Sequence, residues 1–361
     1  MTEFQSLIFY LFSFALSAAL VYFGTKHKFK IFIIIGLAIP ILLAGLRIDT
    51  GTDYANYIRH HVVLNEYGIK PPLEPTFQIF SRLSYILSNG ATLLLLIYAA
   101  ITVIFFYLGL RAHKCKYIAL TFFLFLVTIY PQSLNIMRQM AAVSVFFFAT
   151  TFITKQKPKK YLLFTIIAST LHYAAIVLLP LYLVSKIGPV SIHNRRCVRA
   201  LFLAIIGTLV GIVVVTTPIA TYLLQLVNKE YHSSMQFNSM NAVIQLLPNI
   251  GISYLLLRTA KNVQHKYSET SIFYWLILLS ICIGMISIFL VSIKRLSLFL
   301  FFPFVILILE RVIRIKSPDH RKALYLYGSL AAGLIYFVVL HYLLSYSHIF
   351  PYQSILGALT S

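Results

Sequence analysis

The sequence predicts an all-α fold, a polytopic transmembrane helical bundle. Of its 361 residues, 60% are hydrophobic and only 11% are charged, whereas a soluble domain carries about 25% charged residues. Apolar runs near the bilayer-spanning length of roughly 20 residues recur along the whole chain. Because backbone groups in hydrocarbon must bond to one another and the runs lack strand-like alternation, each run is predicted to be a helix.

Ten apolar runs are candidate spans, and re-entrant or broken short helices would raise the total to about 10–12 membrane helices. The ten runs are 4–23, 31–46, 90–110, 117–130, 136–153, 200–217, 241–257, 271–292, 296–310 and 323–345. We predict one integral-membrane domain over 1–361, with outer-face loops at about 47–89 and 218–240. The first run follows an acidic MTEF, so it is expected to be a retained helix rather than a cleaved signal peptide.

Most basic residues lie in short loops between the apolar runs. Six clusters hold 22 of the 30 lysines and arginines: 24–30, 111–116, 155–160, 186–199, 258–266 and 311–322. Placing all six in the cytoplasm gives one consistent topology, in which both termini face outward. For a bacterial chain, outward means the periplasm or the cell exterior. Membrane orientation therefore accounts for the formal charge of +21, and no nucleic-acid partner is expected.

Two apolar stretches fit this topology poorly. Residues 77–87, FQIFSRLSYIL, look helical although the chain is outside on both sides of them. Residues 161–185 lie between two basic clusters and are too few to cross the bilayer twice. They form either a re-entrant pair of half-helices, 161–171 and 174–185, or one ordinary span with a basic loop on the outer side. Re-entrant backbone is tolerated only where it is buried in protein or lines a wet cavity.

A minority of the charged residues falls on the outer side. The basic ones are Arg47, Arg59, Lys70, Arg82, Arg138, Lys229, Lys294 and Arg295, and the acidic ones are Glu3, Asp49, Asp53, Glu66, Glu74 and Glu230. Arg47 ends a span, Arg138 begins one, and Lys294-Arg295 lies between two apolar runs with almost no loop. Such residues either anchor helix ends to lipid phosphate or converge on one anionic group, and for the set we favour a site. Arg82 is expected to snorkel from a short interfacial helix.

The segment RIDTGTDYANYIRHH (47–61) mixes cations, carboxylates and tyrosines. Thr52 or Asp53 is well placed to cap a helix that follows, with a glycine easing the turn. Within that helix Tyr54, Tyr57 and His61 share one side. Tyrosines beside carboxylates suit sugar rings, and they equally suit the membrane–water interface.

Two later elements carry polar residues near or within apolar runs. In SLNIMRQM (133–140), Asn135, Arg138 and Gln139 occupy the first turns of a span. In STLHYAA (169–175), His172 is either a satisfied helix–helix hydrogen bonder or a functional group at the bend of a re-entrant hairpin. No carboxylate cluster has metal-ligand spacing, and Cys115, Cys197 and Cys282 share no close spacing. We therefore expect neither a metal nor another cofactor.

Three of these elements, in order, resemble the EpsG-like family of bacterial polysaccharide-synthesis membrane proteins, which is grouped with Wzy-type O-antigen and capsule polymerases. They are RIDTGTDY (47–54), IMRQ (136–139) and LHYA (171–174), and the resemblance covers roughly residues 30–310. It implies a glycosyltransferase in the bacterial cytoplasmic (inner) membrane, with its active site facing outward. The growing glycan would pass from undecaprenyl diphosphate to an undecaprenyl-diphosphate-linked repeat unit. Membrane lipids and a chain-length regulator of the polysaccharide co-polymerase type would be its partners.

The chemistry of that reaction assigns roles to the outer-side residues. A diphosphate leaving group calls for cationic clamps, for which Arg is better than Lys, and the acceptor hydroxyl needs a general base. We expect Arg47, Arg138 and Arg295 on the diphosphate, with Arg59 and Lys294 as lesser candidates. The base is either Asp53 or His172, with Asp53 slightly ahead. Sugar contacts are expected from Tyr54, Tyr57, Asp49, His61 and Gln139, although Asp49 could instead orient an arginine.

Other functions fit the same sequence features. An O-antigen ligase or another polyprenyl-lipid-dependent glycosyltransferase would use the same outer-face chemistry with a different acceptor or carrier. A flippase or transporter for the lipid-linked oligosaccharide would carry charges along a path through the bundle. The charges here cluster at the outer boundary, which favours the enzyme. A non-catalytic assembly subunit is a further alternative.

Overall fold

The computed structural model describes residues 1–187, 206–207, 239–287, 293–315 and 319–355. These residues divide between two compact units, Met1–Leu179 with Pro318–Ser361, and Pro180–Ser317. Helices dominate both units, so the predicted all-α fold is confirmed. The single-domain boundary of 1–361 stays a prediction.

The helices follow one another with short connections. The first nine are α1 (Glu3–Lys26), α2 (Lys30–Gly45), α3 (Tyr54–Asn65), α4 (Pro75–Ser88), α5 (Thr92–Ala112), α6 (Ile118–Thr128), α7 (Tyr130–Ser133), α8 (Met137–Thr154) and α9 (Pro158–Leu171). A 3-10 helix, Tyr173–Lys186, comes next. The later ones are α10 (Ser239–Leu257), α11 (Ala260–Lys266), α12 (Ser271–Ile286), α13 (Lys294–Leu300), α14 (Phe302–Ile315) and α15 (Asp319–Phe337), which continues as a π-helix, Val338–Leu343.

Most predicted spans coincide with helices. Six described segments are long and apolar enough to cross a membrane: Glu3–Lys26, Thr92–Ala112, Met137–Thr154, Ser268–Ile286, Arg295–Ile315 and His320–Leu343. The predicted span 296–310 is in fact two helices, because the chain bends at Phe301 between α13 and α14. The predicted outer loop 47–89 contains α3 and α4, and most of 200–217 and 218–240 lies outside the described residues.

The core of the first unit lies where α5, α6 and α8 meet. The ring of Phe106 on α5 stacks on Phe125 of α6 at 4.0 Å and on Phe147 of α8 at 4.6 Å, measured between ring centroids. All three rings are fully buried. Gly109, one turn after Phe106, lets the Phe147 ring approach the backbone of α5, because a side chain there would collide with that ring. This packing fixes α8, whose first turn carries Arg138.

The C-terminal segment closes back on the end of α2. A short strand β1 (Arg47–Ile48) pairs antiparallel with β2 (Gln353–Ser354), with Arg47 opposite Ser354. The Tyr352 hydroxyl donates to the carbonyl of Leu43 at 3.0 Å. The sequence patterns did not predict this pairing, which places the C-terminal segment beside the start of RIDTGTDYANYIRHH.

The second unit has its own packed helices. The ring of Phe273 on α12 stacks on Phe304 of α14 at 5.4 Å. The buried carboxylate of Glu310 bridges Arg311 at 3.1 Å and Arg314 at 2.5 Å. Pairing of this kind is what allows charged groups to lie inside an apolar helix bundle.

Candidate functional site

The turn that follows β1 depends on a glycine. Gly51 has a φ of +95°, which disfavours any residue with a Cβ. A Cβ there would also collide with the carbonyl oxygen of Leu134, just before α8. The Gly51 N–H donates to the carbonyl of His348 at 3.0 Å. Glycine therefore lets the RIDTGTDY segment pack directly against the chain that leads into α8.

Hydrogen bonds then join the first two sequence motifs. The Oδ1 atom of Asn135 accepts from the Thr52 hydroxyl at 2.6 Å and from the Asp53 N–H at 2.9 Å. Asp53 occupies the N-cap position of α3, but its side chain makes no capping hydrogen bond. The expectation that Thr52 or Asp53 caps this helix with its own side chain is therefore wrong. Asn135, from a segment more than 80 residues away, bonds to this turn instead.

Helix α3 presents the predicted tyrosine and histidine face to the protein. Tyr57 and His61 are buried and Tyr54 is half-buried, whereas Arg59 is exposed. His61 Nδ1 lies 2.9 Å from the Ser81 hydroxyl of α4. Burial lowers the pKa of His61 below its ordinary value. The shared side of Tyr54, Tyr57 and His61 thus follows the predicted helical spacing.

Arg47 is buried with part of its hydrogen-bonding capacity unused. Its side chain leaves the start of β1 and is only 1% exposed. Nη1 donates to the carbonyl of Ala44, and Nε donates to the carbonyl of Thr50 at 3.3 Å. Nη2 is buried and has no hydrogen-bond partner among the described residues. A guanidinium is costly to bury, so an unused N–H on it is a candidate anion donor.

A cavity of about 270 Å³ adjoins Arg47. Tyr54 and His61 of α3, Glu66 after that helix, and Tyr85 of α4 are among its lining residues. The guanidinium carbon of Arg47 lies 5.9 Å from the centroid of the Tyr54 ring. Pockets for drug-sized ligands run from roughly 300 to 1,000 Å³, so this one suits a small ring. Aromatic faces beside charged and amide groups match a sugar, which has apolar C–H faces and a rim of hydroxyls.

The second group of polar side chains is centred on a buried carboxylate. Glu74 precedes α4, and its side chain is 3% exposed. One oxygen, Oε2, is paired with Nη1 of Arg138 on α8. The other, Oε1, accepts from His172 Nδ1 at 2.8 Å and from the Tyr173 N–H at 3.3 Å. Three segments that are remote in sequence thus converge on one carboxyl group, and we call Glu74, Arg138 and His172 the Glu74 cluster.

The electrostatics of the Glu74 cluster favour an ionised carboxylate. Burial by itself would raise the pKa of Glu74. The hydrogen bond from His172 and the positive charge of Arg138 outweigh burial and hold the pKa of that carboxyl below its ordinary value. Glu74 therefore carries its negative charge at neutral pH, which keeps Arg138 and His172 in place.

Arg138 lies between two aromatic rings. Its guanidinium carbon is 5.7 Å from the centroid of Tyr57 and 5.9 Å from that of Phe77. Tyr57 interacts electrostatically with both Arg138 and Arg47, so it links the two arginines. The Nε atom of Arg138 is buried without a hydrogen-bond partner in the part of the chain that the structure describes. Both arginines therefore retain an unused donor.

His172 stands at a break in the chain. Helix α9 ends at Leu171, the backbone of His172 is extended, and the 3-10 helix starts at Tyr173. The Tyr161 hydroxyl donates to the carbonyl of Leu178 at 2.5 Å, whereas these residues would be about 25 Å apart in one continuous helix. The second arm therefore folds back along the first, as the re-entrant interpretation predicts; its depth in a membrane stays a prediction.

The N-terminus of α4 docks against this break. The Thr76 hydroxyl donates to the carbonyl of Thr170 at 2.5 Å, beside the contact of Glu74 with His172. Sequence reasoning counted Glu74 only as one acidic residue among several on the outer side. A usable signal was its setting in PPLEP (71–75), where prolines hold a lone carboxylate at a helix start.

The remaining predicted site residues are placed less centrally. Gln139 is buried on α8, directly after Arg138. Asp49 is exposed, and no described ion pair joins it to an arginine, so Glu74 takes the orienting role considered for Asp49. Arg295 is an exposed residue of α13 in the second unit, and the Lys294 side chain lies outside the described atoms. Their convergence with the other cations stays a prediction.

Metal-binding groups are also part of the inventory. Within the described ranges, no three His, Cys, Asp or Glu side chains come together in a way that could hold a metal ion. Metal independence itself stays a prediction.

The fold and the site define a multi-pass helical membrane protein in which buried arginines, a carboxylate and a histidine meet. The model of the EpsG family matches residues 30–354, which is most of the chain. The chain therefore belongs to the EpsG family, and this membership suggests a polysaccharide-polymerase type of function. No curated protein and no solved structure matches it.

The family match extends beyond the expected limit near residue 310. It continues through α15 to residue 354 and so includes the whole of β2. The structure gives a physical reason, because β2 pairs with β1 at Arg47. The C-terminal segment is thus part of the same structural element as the first motif.

Proposed function

We propose that this protein is a polysaccharide polymerase with glycosyltransferase activity. It transfers a growing glycan from undecaprenyl diphosphate to a repeat unit on the same lipid, at the outer face of the cytoplasmic membrane. Membership of the EpsG family supports the polymerase type of function. The sugar composition of the repeat unit is left open by this proposal.

The observation that carries the proposal is the pair of buried arginines beside Tyr57. Arg47 Nη2 and Arg138 Nε are each buried without a hydrogen-bond partner among the described residues. Two such donors on neighbouring guanidinium groups are suited to a phosphate-bearing ligand, because Arg binds phosphate oxygens in a planar, bidentate manner. Charge builds up on the diphosphate as it leaves, and preorganised cations stabilise that charge.

The cavity beside Arg47 supports the saccharide part of the proposal. Tyr54 and Tyr85 offer aromatic faces, and Glu66 and Arg47 offer an acceptor and donors for hydroxyl groups. A sugar in this cavity would lie next to a diphosphate held by the Arg47 guanidinium. The arrangement thus suits a substrate in which a sugar is joined directly to a phosphate.

The test offers the purified protein, in lipid nanodiscs, its lipid-linked oligosaccharides. These are extracted from a strain of the source bacterium that lacks this chain, so that unpolymerised repeat units accumulate. We expect a ladder of products with the wild type. We expect at least a tenfold slower ladder with Arg47→Ala and Arg138→Ala, since hydrogen bonds to charged groups contribute roughly 1.5–3 kcal/mol.

Arg82→Ala is the matched control, because Arg82 is an exposed arginine of α4 outside both groups of site residues. It should leave the ladder unchanged. Unchanged ladders in both Arg47→Ala and Arg138→Ala would refute the diphosphate clamp. No ladder with the wild type, together with transfer to added lipid A core, would show a ligase instead of a polymerase.

A further inference from the structure

We propose that His172 is the general base of the transfer reaction and that Glu74 is the residue that positions it. This inference rests on the proposed glycosyltransferase function and deepens it. It selects His172 over Asp53, which the sequence had placed slightly ahead, and it assigns a role to Glu74.

The first argument is the tautomer that Glu74 imposes on His172. An ionised carboxylate only accepts hydrogen bonds, so the 2.8 Å contact with Oε1 requires a hydrogen on Nδ1. In the neutral imidazole, the lone pair is then on Nε2. Nε2 makes no hydrogen bond to any described residue, and the side chain is 16% exposed. The basic nitrogen is therefore both defined and reachable.

The second argument is the rigidity of the carboxylate. Glu74 is fixed through Oε2 by Arg138 and through Oε1 by the Tyr173 N–H, in addition to His172. Its backbone begins α4, where its carbonyl accepts from the Phe77 N–H at 3.0 Å. A buried carboxylate that orients an imidazole in this way is the arrangement that serine hydrolases use to hold their catalytic histidine.

The reaction step balances with these groups. His172 Nε2 takes the proton of the acceptor hydroxyl while that oxygen forms a bond to the anomeric carbon of the donor sugar. The bond from the anomeric carbon to the diphosphate oxygen breaks, and the diphosphate leaves with the electron pair. Arg138, held on the other oxygen of Glu74, is placed to stabilise that negative charge. The imidazolium then returns its proton to water.

The neighbourhood of the pair sets its pH behaviour. The charged and titratable groups around His172 and Glu74 are Arg138 of α8, Tyr57 of α3 and Tyr98 of α5. The negative charge of Glu74 favours the imidazolium form of His172. Replacing Glu74 by Gln keeps a hydrogen-bond acceptor but removes that charge. The acid limb of the pH–rate profile should then move to lower pH.

The experiment measures initial rates of ladder formation with the extracted lipid-linked oligosaccharides. For His172→Ala and His172→Asn we expect kcat to fall roughly 100- to 10,000-fold, the range for a lost general base. Added imidazole should restore part of the activity of His172→Ala. For Glu74→Gln we expect kcat to fall roughly 10- to 100-fold with little change in KM, together with the displaced acid limb.

Glu310→Gln is the matched control, because Glu310 is also a buried carboxylate that bridges two cationic side chains. It should leave the shape of the pH–rate profile unchanged. The inference is overturned if His172→Asn keeps more than a third of wild-type kcat, or if Asp53→Asn removes activity that His172→Ala retains. A wild type without any transfer activity would instead overturn the proposed function, so the two failures are distinguishable.

Discussion

The ion pair between Glu74 and Arg138 allows a quantitative prediction. Arg138→Ala leaves a carboxylate that is only 3% exposed without its cationic partner. Removing one member of a buried ion pair costs roughly 3–5 kcal/mol of folding free energy. Because Glu74 keeps its hydrogen bonds from His172 and the Tyr173 N–H, we expect the low end of that range, about 3 kcal/mol.

The free cysteine Cys115 provides an assay that is specific to the unit containing the pair. Cys115 is buried in the first unit, and its reaction with a thiol-specific fluorescent dye on heating reports unfolding there. Cys197 and Cys282 are replaced by Ser in the background so that only Cys115 reacts. For a unit of this size, a loss of about 3 kcal/mol lowers the unfolding midpoint by roughly 6–12 °C.

A double-mutant cycle tests the physical reasoning behind that value. In the Glu74→Gln background the buried charge is gone, so Arg138→Ala should cost at least about 1 kcal/mol less than it does in the wild type. Effects of the two substitutions that add within roughly 0.5 kcal/mol would refute the coupling. Arg82→Ala, at an exposed site on α4, should leave the midpoint unchanged.

Three further predictions concern the same unit and use the Cys115 assay unless stated. Gly51→Ala should destabilise by more than about 1 kcal/mol, because of its positive φ and the Leu134 carbonyl. Gly68→Ala, at a positive φ with open space around it, should cost less; equal losses would contradict the collision. Asn135→Ala should cost roughly 1–3 kcal/mol and speed hydrogen exchange at the start of α3, and unchanged exchange would contradict it. Because the pKa of Glu74 is lowered, its contribution is present above the unfolded pKa of about 4.3 and is lost as pH falls through the folded pKa. Stability of Glu74→Gln should therefore depend less on pH in that range, and an identical dependence would contradict the argument.

Local patterns in the sequence were sufficient to predict the helices and the order of the motifs. A run of apolar residues long enough to cross a bilayer has to form a helix, because its backbone groups have no other partners there. For the same reason α1, α5 and α8 lie close to the predicted runs 4–23, 90–110 and 136–153. The break at His172 was also predictable, since two apolar arms between basic clusters cannot both cross the membrane.

Pairings between remote residues were not predictable in this way. The spacing of RIDTGTDY gives no information that Asn135 accepts from the Asp53 N–H, 82 residues away. It gives no information that β1 pairs with a strand at the other end of the chain. The bend at Phe301 was missed because hydropathy does not distinguish one apolar helix from two consecutive ones.

The sequence by itself therefore determined that this is a helical membrane protein with arginines at helix ends and a histidine at a chain break. Only the tertiary structure decided which acid those residues meet. Glu74 is 64 residues from Arg138 and 98 from His172, and nothing in the local sequence distinguishes it from Asp49 or Asp53 as their partner. The reason is physical: hydropathy and helix spacing act over a few turns, whereas a buried ion pair forms wherever packing brings opposite charges together out of water.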